Sequence, residues 1–249
     1  MERWYGKVVV VTGASAGIGA AISAKLVENG LQVVGLARRL DKLQDLETQL
    51  QNRPGKFHPV QADITNEDDL NRAFAWVKNN LGTLHILVNN AGVAKPATLL
   101  DGNTELFKQV LETNVLALAV ATREAVKIMR ENAEEGHVVH INSTTGHRIP
   151  NVPLMNVYYA SKYAVTALAE TLRMDLRRVG SKIRVTSLSP GLVETDMVND
   201  FLTAGVVGKL IEAAPKLHPE DIANALVYVL GTPPHVQIKE LIISPTGSE

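Results

Sequence analysis

Cysteine is absent from this 249-residue sequence, so disulfide bonds, thiol nucleophiles and thiolate metal ligands are all excluded. An excess of charge is absent too, because 25 basic and 26 acidic residues leave a formal net charge of −1. Such a chain gives no reason to expect nucleic acid or an anionic membrane as a partner. Apolar runs of membrane-spanning length are missing, and the run after Lys7 is too short for a signal-peptide core. We therefore expect a cytoplasmic protein without a transmembrane segment.

The composition is that of an ordinary globular protein, with 45% hydrophobic and 20% charged residues. The chain is long enough for one sizeable core, and no Pro/Gly/Ser-rich linker or run of like charges divides it. We therefore predict a single domain over residues 1–249.

Short β-branched segments alternate with longer segments of helical periodicity. The predicted strands cover residues 8–11, 32–36, 56–61, 86–88, 138–141, 184–188 and 240–243, and the predicted helices cover about 18–29, 41–51, 66–80, 103–131, 157–179 and 219–230. Strands with little alternation are buried on both faces, and helices between them are the usual crossovers of a parallel sheet. The pattern predicts an α/β protein with a doubly wound Rossmann fold and one mostly parallel seven-stranded sheet.

Ligands of such sheets bind beyond the carboxyl ends of the strands, so the residues that follow each strand matter most. The first strand is followed by the segment TGASAGIG at 12–19. Its glycines, Gly13, Gly17 and Gly19, allow a tight turn and let a phosphate approach the amino end of the next helix. The same glycines could also serve the turn alone.

Two other interpretations of this segment are weaker. Residues 13–17 match the G-x-S-x-G elbow of serine hydrolases, with Ser15 as the nucleophile. That elbow follows an interior strand of a sheet built by earlier strands, whereas this one follows the first strand. A phosphate-binding G-x-x-x-x-G-K loop would need a lysine where Ala20 stands.

Arg38 and Arg39 follow the second strand, and no acidic residue stands at 36–39. A carboxylate here would accept the ribose hydroxyls of NAD, whereas cations suit the 2′-phosphate of NADP. The pair therefore favours NADP(H), with Ser15 as a third contact. Two solvated surface arginines are the alternative.

Polar residues also follow the third and fourth strands. Asp63 could accept a hydrogen bond from an adenine amino group, or it could cap the helix that starts near Asn66. The segment NNAG at 89–92 has small residues that would let the backbone approach a ribose. Asn114 interrupts an apolar helical segment, where it is either a satisfied core amide or a kink that holds a water.

The segment from Asn142 to Val165 combines a hydroxyl with a phenol and an amine. Ser143 follows the fifth strand, and Tyr158 and Lys162 share one face of the next predicted helix because they are four residues apart. A nearby cation lowers the pKa of a phenol, so Tyr158 could exchange a proton with a substrate oxygen that Ser143 holds. A tyrosine and a lysine at this spacing also occur by chance, so the pair gains weight only from the other motifs.

Residues after the sixth strand predict a lid. Pro190 and Gly191 end the strand, and a glycine-containing apolar stretch at about 192–217 has the composition of a segment that closes over a site. A plain pair of surface helices is the alternative. His137, His140 and His147 make a poor metal site, because the first two face opposite sides of a strand. No metal is expected.

These motifs, taken together and in this order, resemble those of the classical short-chain dehydrogenase/reductase family over nearly the whole length. The segments NSTTGHR, NVLALAVATREA and YVLGTPPHVQIKEL further resemble the farnesol dehydrogenase-like branch of insects and its vertebrate keto-steroid-reducing relatives. The resemblance implies a dinucleotide-binding half at about 1–135 and a catalytic and substrate half at about 136–249. It also implies a homodimer or homotetramer packed through the helices at 103–131 and 157–179.

The resemblance implies a role for each matching residue. Tyr158 would be the general acid/base with its pKa lowered by Lys162, Ser143 would polarise the substrate oxygen, and Asn114 would hold a water of a proton relay. The cofactor-binding residues would be Gly13, Ser15, Gly17, Ile18, Gly19, Arg38, Arg39, Asp63, Ile64, Asn90, Ala91, Gly92, Tyr158, Lys162, Pro190, Gly191, Val193 and Thr195.

One departure concerns the substrate. The interval from Ser143 to Tyr158 is two residues longer than is common in the family, and the extra length falls around 149–156 in the wall of the substrate site. We predict an NADP(H)-dependent carbonyl reductase or alcohol dehydrogenase for an apolar alcohol or ketone, such as a terpenoid or steroid. The alternative from another class is a non-catalytic NADP(H)-binding sensor or scaffold on the same fold.

Overall fold

The computed structural model describes residues 1–131, 135–202 and 206–248, and in it seven strands form one parallel sheet. The strands are β1 (Val8–Thr12), β2 (Gln32–Ala37), β3 (Lys56–Gln61), β4 (Ile86–Asn89), β5 (His137–Ile141), β6 (Arg184–Pro190) and β7 (Glu240–Ile243). Their order across the sheet is β3-β2-β1-β4-β5-β6-β7, and each neighbouring pair is parallel. The predicted doubly wound fold is therefore confirmed, and all seven predicted strands are present.

Helices connect the strands and cover both faces of the sheet. They are α1 (Gly17–Glu28), α2 (Leu40–Gln49), α3 (Glu67–Leu81), α4 (Thr104–Leu111), α5 (Leu118–Glu131), α6 (Asn156–Arg178), α7 (Asn199–Leu202), α8 (Val206–Ala213) and α9 (Pro219–Gly231). The order of the strands reverses between β1 and β4, so the carboxyl ends of these two strands flank a crevice. The glycine-rich turn after β1 lies at that crevice.

The helix predicted over 103–131 is divided into two by a turn of π-helix, Glu112–Ala117, between α4 and α5. A π-turn inserts an extra residue into an α-helix and is frequent at functional sites. Asn114 lies inside this turn and is buried. The helix is therefore interrupted at Asn114, although the periodicity alone predicted one continuous helix.

Two apolar clusters fill the space between the sheet and its helices. One combines β1, α1 and α9 through residues such as Val9, Leu26 and Leu226, and the other combines the opposite face with α3 and α5 through residues such as Val10 and Phe74. Val9 and Val10 belong to different clusters because they point to opposite faces of β1. Both faces of the strand are buried, which explains why its sequence does not alternate between apolar and polar residues. The strand is thereby fixed in the middle of the sheet.

The described helices contain none that is long and apolar enough to cross a membrane.

Candidate active site

The turn after β1 brings glycine backbone to the amino end of α1. Gly13 and Gly17 have φ angles of +69° and +53°, which non-glycine residues rarely adopt. A Cβ atom on Gly19 would collide with the carbonyl oxygen of Gly13 and the side-chain amide of Asn90. In the described part of the chain no side chain caps the first turn of α1, which leaves its amide groups for an anion. The structure therefore supports a phosphate cradle at residues 13–19.

Asn90 holds this turn in place. Its side-chain nitrogen donates to the carbonyl oxygens of Thr12 (2.8 Å) and Gly13 (3.2 Å), and its backbone N–H donates to the hydroxyl of Thr12 (3.0 Å). Ala91 N–H donates to the same hydroxyl at 3.0 Å. The Asn90 side-chain nitrogen thus braces the glycine turn. Thr12 was not singled out by the sequence, because a threonine that ends a strand gives no distinctive signal.

Arg39 and Ser15 meet beside the glycine turn, and Arg38 precedes Arg39 at the end of β2. Arg39 Nη2 donates to the Ser15 hydroxyl oxygen at 3.1 Å, and both arginine side chains are exposed. Arg38 is held through its carbonyl oxygen, which accepts from Gln61 at 2.9 Å. The Arg39 guanidinium and the Ser15 hydroxyl are therefore in contact, and the exposed Arg38 side chain acts to lower the pKa of Asp63.

Asp63 stabilises its own turn. Its Oδ1 accepts from the backbone N–H (3.0 Å) and the hydroxyl (2.7 Å) of Thr65. The cap of α3 is Asn66, whose side chain accepts from Asp68 and Asp69 N–H groups, so the alternative that Asp63 caps this helix is wrong. Burial acts to raise the pKa of Asp63, but the Thr65 hydrogen bonds and Arg38 outweigh it and hold that pKa below its usual value. Ile64 is partly buried against the core beside it.

Ser143, Tyr158 and Lys162 meet at the carboxyl end of β5. The Tyr158 hydroxyl lies beside Ser143, which acts to lower its pKa, and Lys162 Nζ lies 5.7 Å from the centre of the Tyr158 ring. Lys162 Nζ also donates to the carbonyl oxygen of Ile141 at 3.0 Å, which ties α6 to the end of the strand. The three side chains are 8%, 9% and 5% exposed, respectively, so this is a polar group set into a nearly dry environment.

The proton affinities of this group differ from the sequence prediction. Burial raises the pKa of Tyr158 to about 12, although hydrogen bonds from Ser143 and Thr145 act to lower it. Burial lowers the pKa of Lys162 to about 8. The prediction that Lys162 lowers the pKa of Tyr158 is therefore wrong for the protein by itself. Burial is the largest cause of both shifts, because it disfavours the charged form of each side chain.

Thr145 belongs to the same group and was missed by the sequence analysis. Its hydroxyl donates to Ser143 Oγ at 2.9 Å, its backbone N–H donates to the same oxygen at 3.1 Å, and its side chain acts to lower the pKa of Tyr158. Ser143 caps the 3₁₀ turn Thr144–Gly146, which folds Thr145 back over it. A serine followed two residues later by a hydroxyl at the end of a buried strand is the signal that could have identified it.

Asn114 connects the cofactor side of the site to α6. Its side chain donates to Val93 O (2.9 Å) and to Ser161 Oγ (3.0 Å), and it accepts from Val93 N–H at 2.8 Å. Ser161 in turn donates to the carbonyl oxygen of Tyr158 at 2.7 Å. Asn114 is thus a satisfied core amide inside a kink. Gly92 packs beside it, because a Cβ there would lie 3.4 Å from Asn114 Oδ1.

The residues after β6 return to the glycine turn. Gly191 N–H donates to Ile243 O at 2.7 Å, which extends the pairing of β6 and β7 past Pro190. Val193 is buried and forms an isolated parallel bridge with Leu217. A Cβ on Gly17 would lie 3.0 Å from the Thr195 methyl group, so Thr195 stands over the glycine turn.

The predicted lid contributes an apolar cover. Phe201, Val207 and Ile211 are buried in one cluster with Tyr158 and Tyr159. Val152, Leu154 and Met155 of the longer loop, and Leu192, pack against the same cluster. Ile149, by contrast, is 67% exposed and does not join this wall. The predicted lid contains two glycines that could serve as hinges. Gly208 lies in α8, and Gly205 lies outside the described residues.

The histidines do not form a metal site. His137 interacts with Thr186 (2.9 Å), His140 with Asn89 (3.1 Å) and His147 with Ser189 (3.1 Å). Within the described ranges no group of three or more potential ligands could hold a metal ion.

Comparison with known proteins places this geometry in a family. The sequence pattern of the short chain dehydrogenases matches residues 7–204. The chain is 44% identical over 251 residues to farnesol dehydrogenase of Aedes aegypti, with 100% of each chain covered. It is 43% identical to dehydrogenase/reductase SDR family member 11 of Mus musculus, with 99% of this chain and 96% of the mouse protein covered. The solved closed form of serine dehydrogenase complexed with NADP+ superimposes with a TM-score of 0.87 at 31% identity, covering 97% of this chain and 96% of that one.

The matched residues include β1 to β6, the glycine turn and all the proposed catalytic side chains. The chain therefore belongs to the short-chain dehydrogenase/reductase family, in the branch of the insect farnesol dehydrogenase and its vertebrate relatives.

Proposed function

We propose that this protein is an NADP(H)-dependent oxidoreductase that interconverts an apolar alcohol and the corresponding carbonyl compound. The observation that carries the proposal is the meeting of Ser143, Tyr158 and Lys162 in one nearly dry site at the end of the sheet. A non-catalytic sensor or scaffold on this fold would have no need of a buried phenol and ammonium so placed, since burial of each is costly.

The protein's own residues would hold the substrate oxygen and supply its proton. The nicotinamide would supply a hydride, that is, a proton with two electrons, to the carbonyl carbon. Tyr158 carries its proton at neutral pH, as an ordinary tyrosine does, and burial favours the protonated form further by raising its pKa to about 12. It is therefore a donor for the carbonyl oxygen in the reducing direction, and Ser143 would hold that oxygen by a hydrogen bond. For the oxidising direction Tyr158 must first lose its proton.

The residues around the crevice fit a dinucleotide. Glycines 13, 17 and 19 and the uncapped start of α1 would hold the pyrophosphate. Lys162 and the backbone of 90–92 would hold the nicotinamide ribose, Asp63 and Ile64 the adenine, and Val193 and Thr195 the carboxamide, with Ile18, Pro190 and Gly191 beside them. These assignments rest on the family resemblance and on the positions described above.

The preference for NADP(H) over NAD(H) rests on Arg38, Arg39 and Ser15. Guanidinium groups pair with phosphate through two parallel N–H donors, whereas a ribose hydroxyl without phosphate gains little from them. The 3.1 Å contact of Arg39 with Ser15 brings a cation and a hydroxyl together near the end of β2, where they would hold the 2′-phosphate. The serine dehydrogenase that resembles this chain was solved with NADP+ bound, which supports the same coenzyme.

The proposed substrate is a terpenoid-like or steroid-like alcohol or ketone. The cover over Tyr158 is built from Val152, Leu154, Phe201, Val207 and Ile211, which offer apolar contact and no charge. The relative that is 44% identical is a farnesol dehydrogenase, and farnesol is such an alcohol. Transfer of apolar surface into this cover would supply most of the substrate's binding free energy.

We also propose a homodimer or homotetramer. Leu111, Leu116 and Tyr163 are 44%, 59% and 41% exposed on the helices that pair between subunits in the family. Burial of these side chains against a second copy would be favourable.

The test is a spectrophotometric screen of NADPH oxidation and NADP+ reduction with a panel of lipophilic carbonyls and alcohols. Farnesal, farnesol and keto-steroids should be turned over, and small sugars and charged acids should not. Turnover confined to sugars or acids would contradict the substrate class, and a wild-type protein that binds NADPH but turns over nothing would favour the sensor. Labelling of Ser15 by a serine-directed phosphonate would revive the hydrolase interpretation.

A further inference from the structure

The hydroxyl groups of Ser143, Thr145 and Tyr158 form a triangle at the proposed site of proton transfer. The hydroxyls of Ser143 and Thr145 both lie beside the Tyr158 hydroxyl and act to lower its pKa, and Thr145 Oγ1 lies 2.9 Å from Ser143 Oγ. The backbone N–H of Thr145 donates to Ser143 Oγ at 3.1 Å. Each corner of the triangle therefore contacts the other two, and Thr145 is the corner for which the proposed function has no role.

The donor and acceptor capacity of these groups limits their arrangement. A serine hydroxyl has one hydrogen and two acceptor lone pairs. Both lone pairs of Ser143 are used when the N–H and the hydroxyl of Thr145 donate to it. The single hydrogen of Ser143 is then free to point only at the Tyr158 oxygen or at a substrate oxygen in front of it. Thr145 thus orients Ser143 as a donor, which is the orientation that a carbonyl oxygen requires.

The hydroxyl of Thr145 has one hydrogen but two oxygens within reach. While Tyr158 carries its proton, the Ser143 oxygen is the available acceptor. Once Tyr158 has given its proton to the substrate oxygen, its own oxygen is an anion and a much stronger acceptor. Rotation about one C–O bond would move the Thr145 hydrogen from Ser143 to the phenolate, without movement of the backbone.

We propose that Thr145 is a catalytic residue, whose hydroxyl orients Ser143 while Tyr158 is protonated and stabilises the Tyr158 phenolate after proton transfer. The step conserves protons, because the Tyr158 proton goes to the substrate oxygen and the Thr145 proton stays on Thr145. This inference rests on the proposed function for its role in turnover, whereas the contact itself can be measured without turnover.

In the part of the chain that the structure describes, no other group around Tyr158 takes the place of the Thr145 hydroxyl as a donor. Tyr159 on the same helix disfavours the phenolate, and its hydroxyl is used by the carbonyl oxygen of Val152 at 3.1 Å. Lys162 is directed to Ile141. The lid and the loop that precedes α4 contribute Phe201, Val207 and Ala94, which have no hydrogen to donate from a polar atom.

Two substitutions separate the hydroxyl from the shape of the side chain. Thr145→Val keeps the shape and the backbone N–H bond to Ser143 but removes the hydroxyl, whereas Thr145→Ser keeps the hydroxyl. Thr144→Val makes the same change one residue earlier in the turn and is the matched control. We expect Thr145→Val to lower kcat about tenfold or more and to raise the apparent pKa of alcohol oxidation by about one pH unit. Thr145→Ser should restore both, and the KM for cofactor should not change.

A second readout does not depend on turnover. With tyrosine labelled by carbon-13 at Cζ, the Tyr158 resonance is identified by its absence in Tyr158→Phe. At neutral pH it should shift in Thr145→Val and return to the wild-type position in Thr145→Ser and Thr144→Val. An unshifted resonance, or an unchanged pH profile in an active Thr145→Val enzyme, would overturn the inference. A shifted resonance in a protein without any dehydrogenase activity would instead overturn the proposed function.

Discussion

Tyr158 and Lys162 show how strongly burial changes the chemistry of a single side chain. The sequence correctly indicates that the two residues share a helix face, because that follows from their spacing. It could not predict that burial raises the pKa of Tyr158 to about 12 and lowers that of Lys162 to about 8, because the lid and loop that exclude water are distant in sequence. The same limit explains why Thr145 was missed, since its role depends on a turn that folds back over Ser143.

Arg38 and Arg39 give the first residue-scale prediction. Replacement of both by alanine should lower the affinity for NADPH about tenfold or more, because each charge-assisted hydrogen bond to the 2′-phosphate contributes ~1.5–3 kcal/mol. The affinity for NADH should hardly change. Fluorescence titration with each coenzyme measures both values. Arg53→Ala removes an exposed cation from the loop before β3 and controls for net charge. Tighter binding of NADH than NADPH to the unmodified protein would contradict the coenzyme assignment.

At the scale of the elements, the sequence predicted the β1–α1 turn but not the turn of π-helix. Gly13, Gly17 and Gly19 predicted the turn because only glycine tolerates its φ angles and close contacts. The π-turn at 112–117 leaves no such mark, since its residues are ordinary helix formers and one polar side chain, Asn114, is the only irregularity. The position of the kink is set by hydrogen bonds to Val93 and Ser161, which the sequence alone could not pair.

A substitution in the β1–α1 turn tests the role of this element. Gly19→Ala introduces a methyl group against the Gly13 carbonyl oxygen and the Asn90 amide. We expect a loss of stability of about 1–3 kcal/mol from overpacking, together with weaker binding of NADPH. Gly231→Ala at the end of α9 is the control, because its nearest atom, Met1 N, lies 3.9 Å from the added Cβ. Chemical denaturation and coenzyme titration of the two variants provide the comparison, and equal results for both would show that the turn is not tightly packed.

At the scale of the whole molecule, the fold was the most predictable property and the pH dependence of stability the least. Seven strands and their crossovers follow from composition and periodicity. The buried polar network at β5 does not follow from composition and periodicity. His137 and His140 are both 1% exposed and lie on opposite faces of the strand, each with a hydrogen-bond partner from a neighbouring element.

These histidines predict that acid destabilises the protein. Burial, with Arg173 and Lys162, lowers the pKa of His140 to about 3, and burial lowers that of His137 well below its usual value. Below about pH 6.5 the unfolded chain binds protons that the folded chain does not, so the free energy of unfolding falls as the pH drops, by up to ~1.4 kcal/mol per pH unit for His140. Denaturant unfolding between about pH 7 and pH 4 measures this slope. His140→Asn should reduce the slope, the exposed His235→Gln should not, and a flat profile for the wild type would contradict the assignment.

The central claim is that Tyr158 donates the proton in a hydride-transfer reaction. The most direct measurement is the turnover of NADPH with a lipophilic carbonyl by Tyr158→Phe, together with its dissociation constant for NADPH. The account predicts that turnover is abolished while the dissociation constant stays near that of the wild type, because phenylalanine keeps the ring and removes only the hydroxyl. Turnover near the wild-type rate would contradict it.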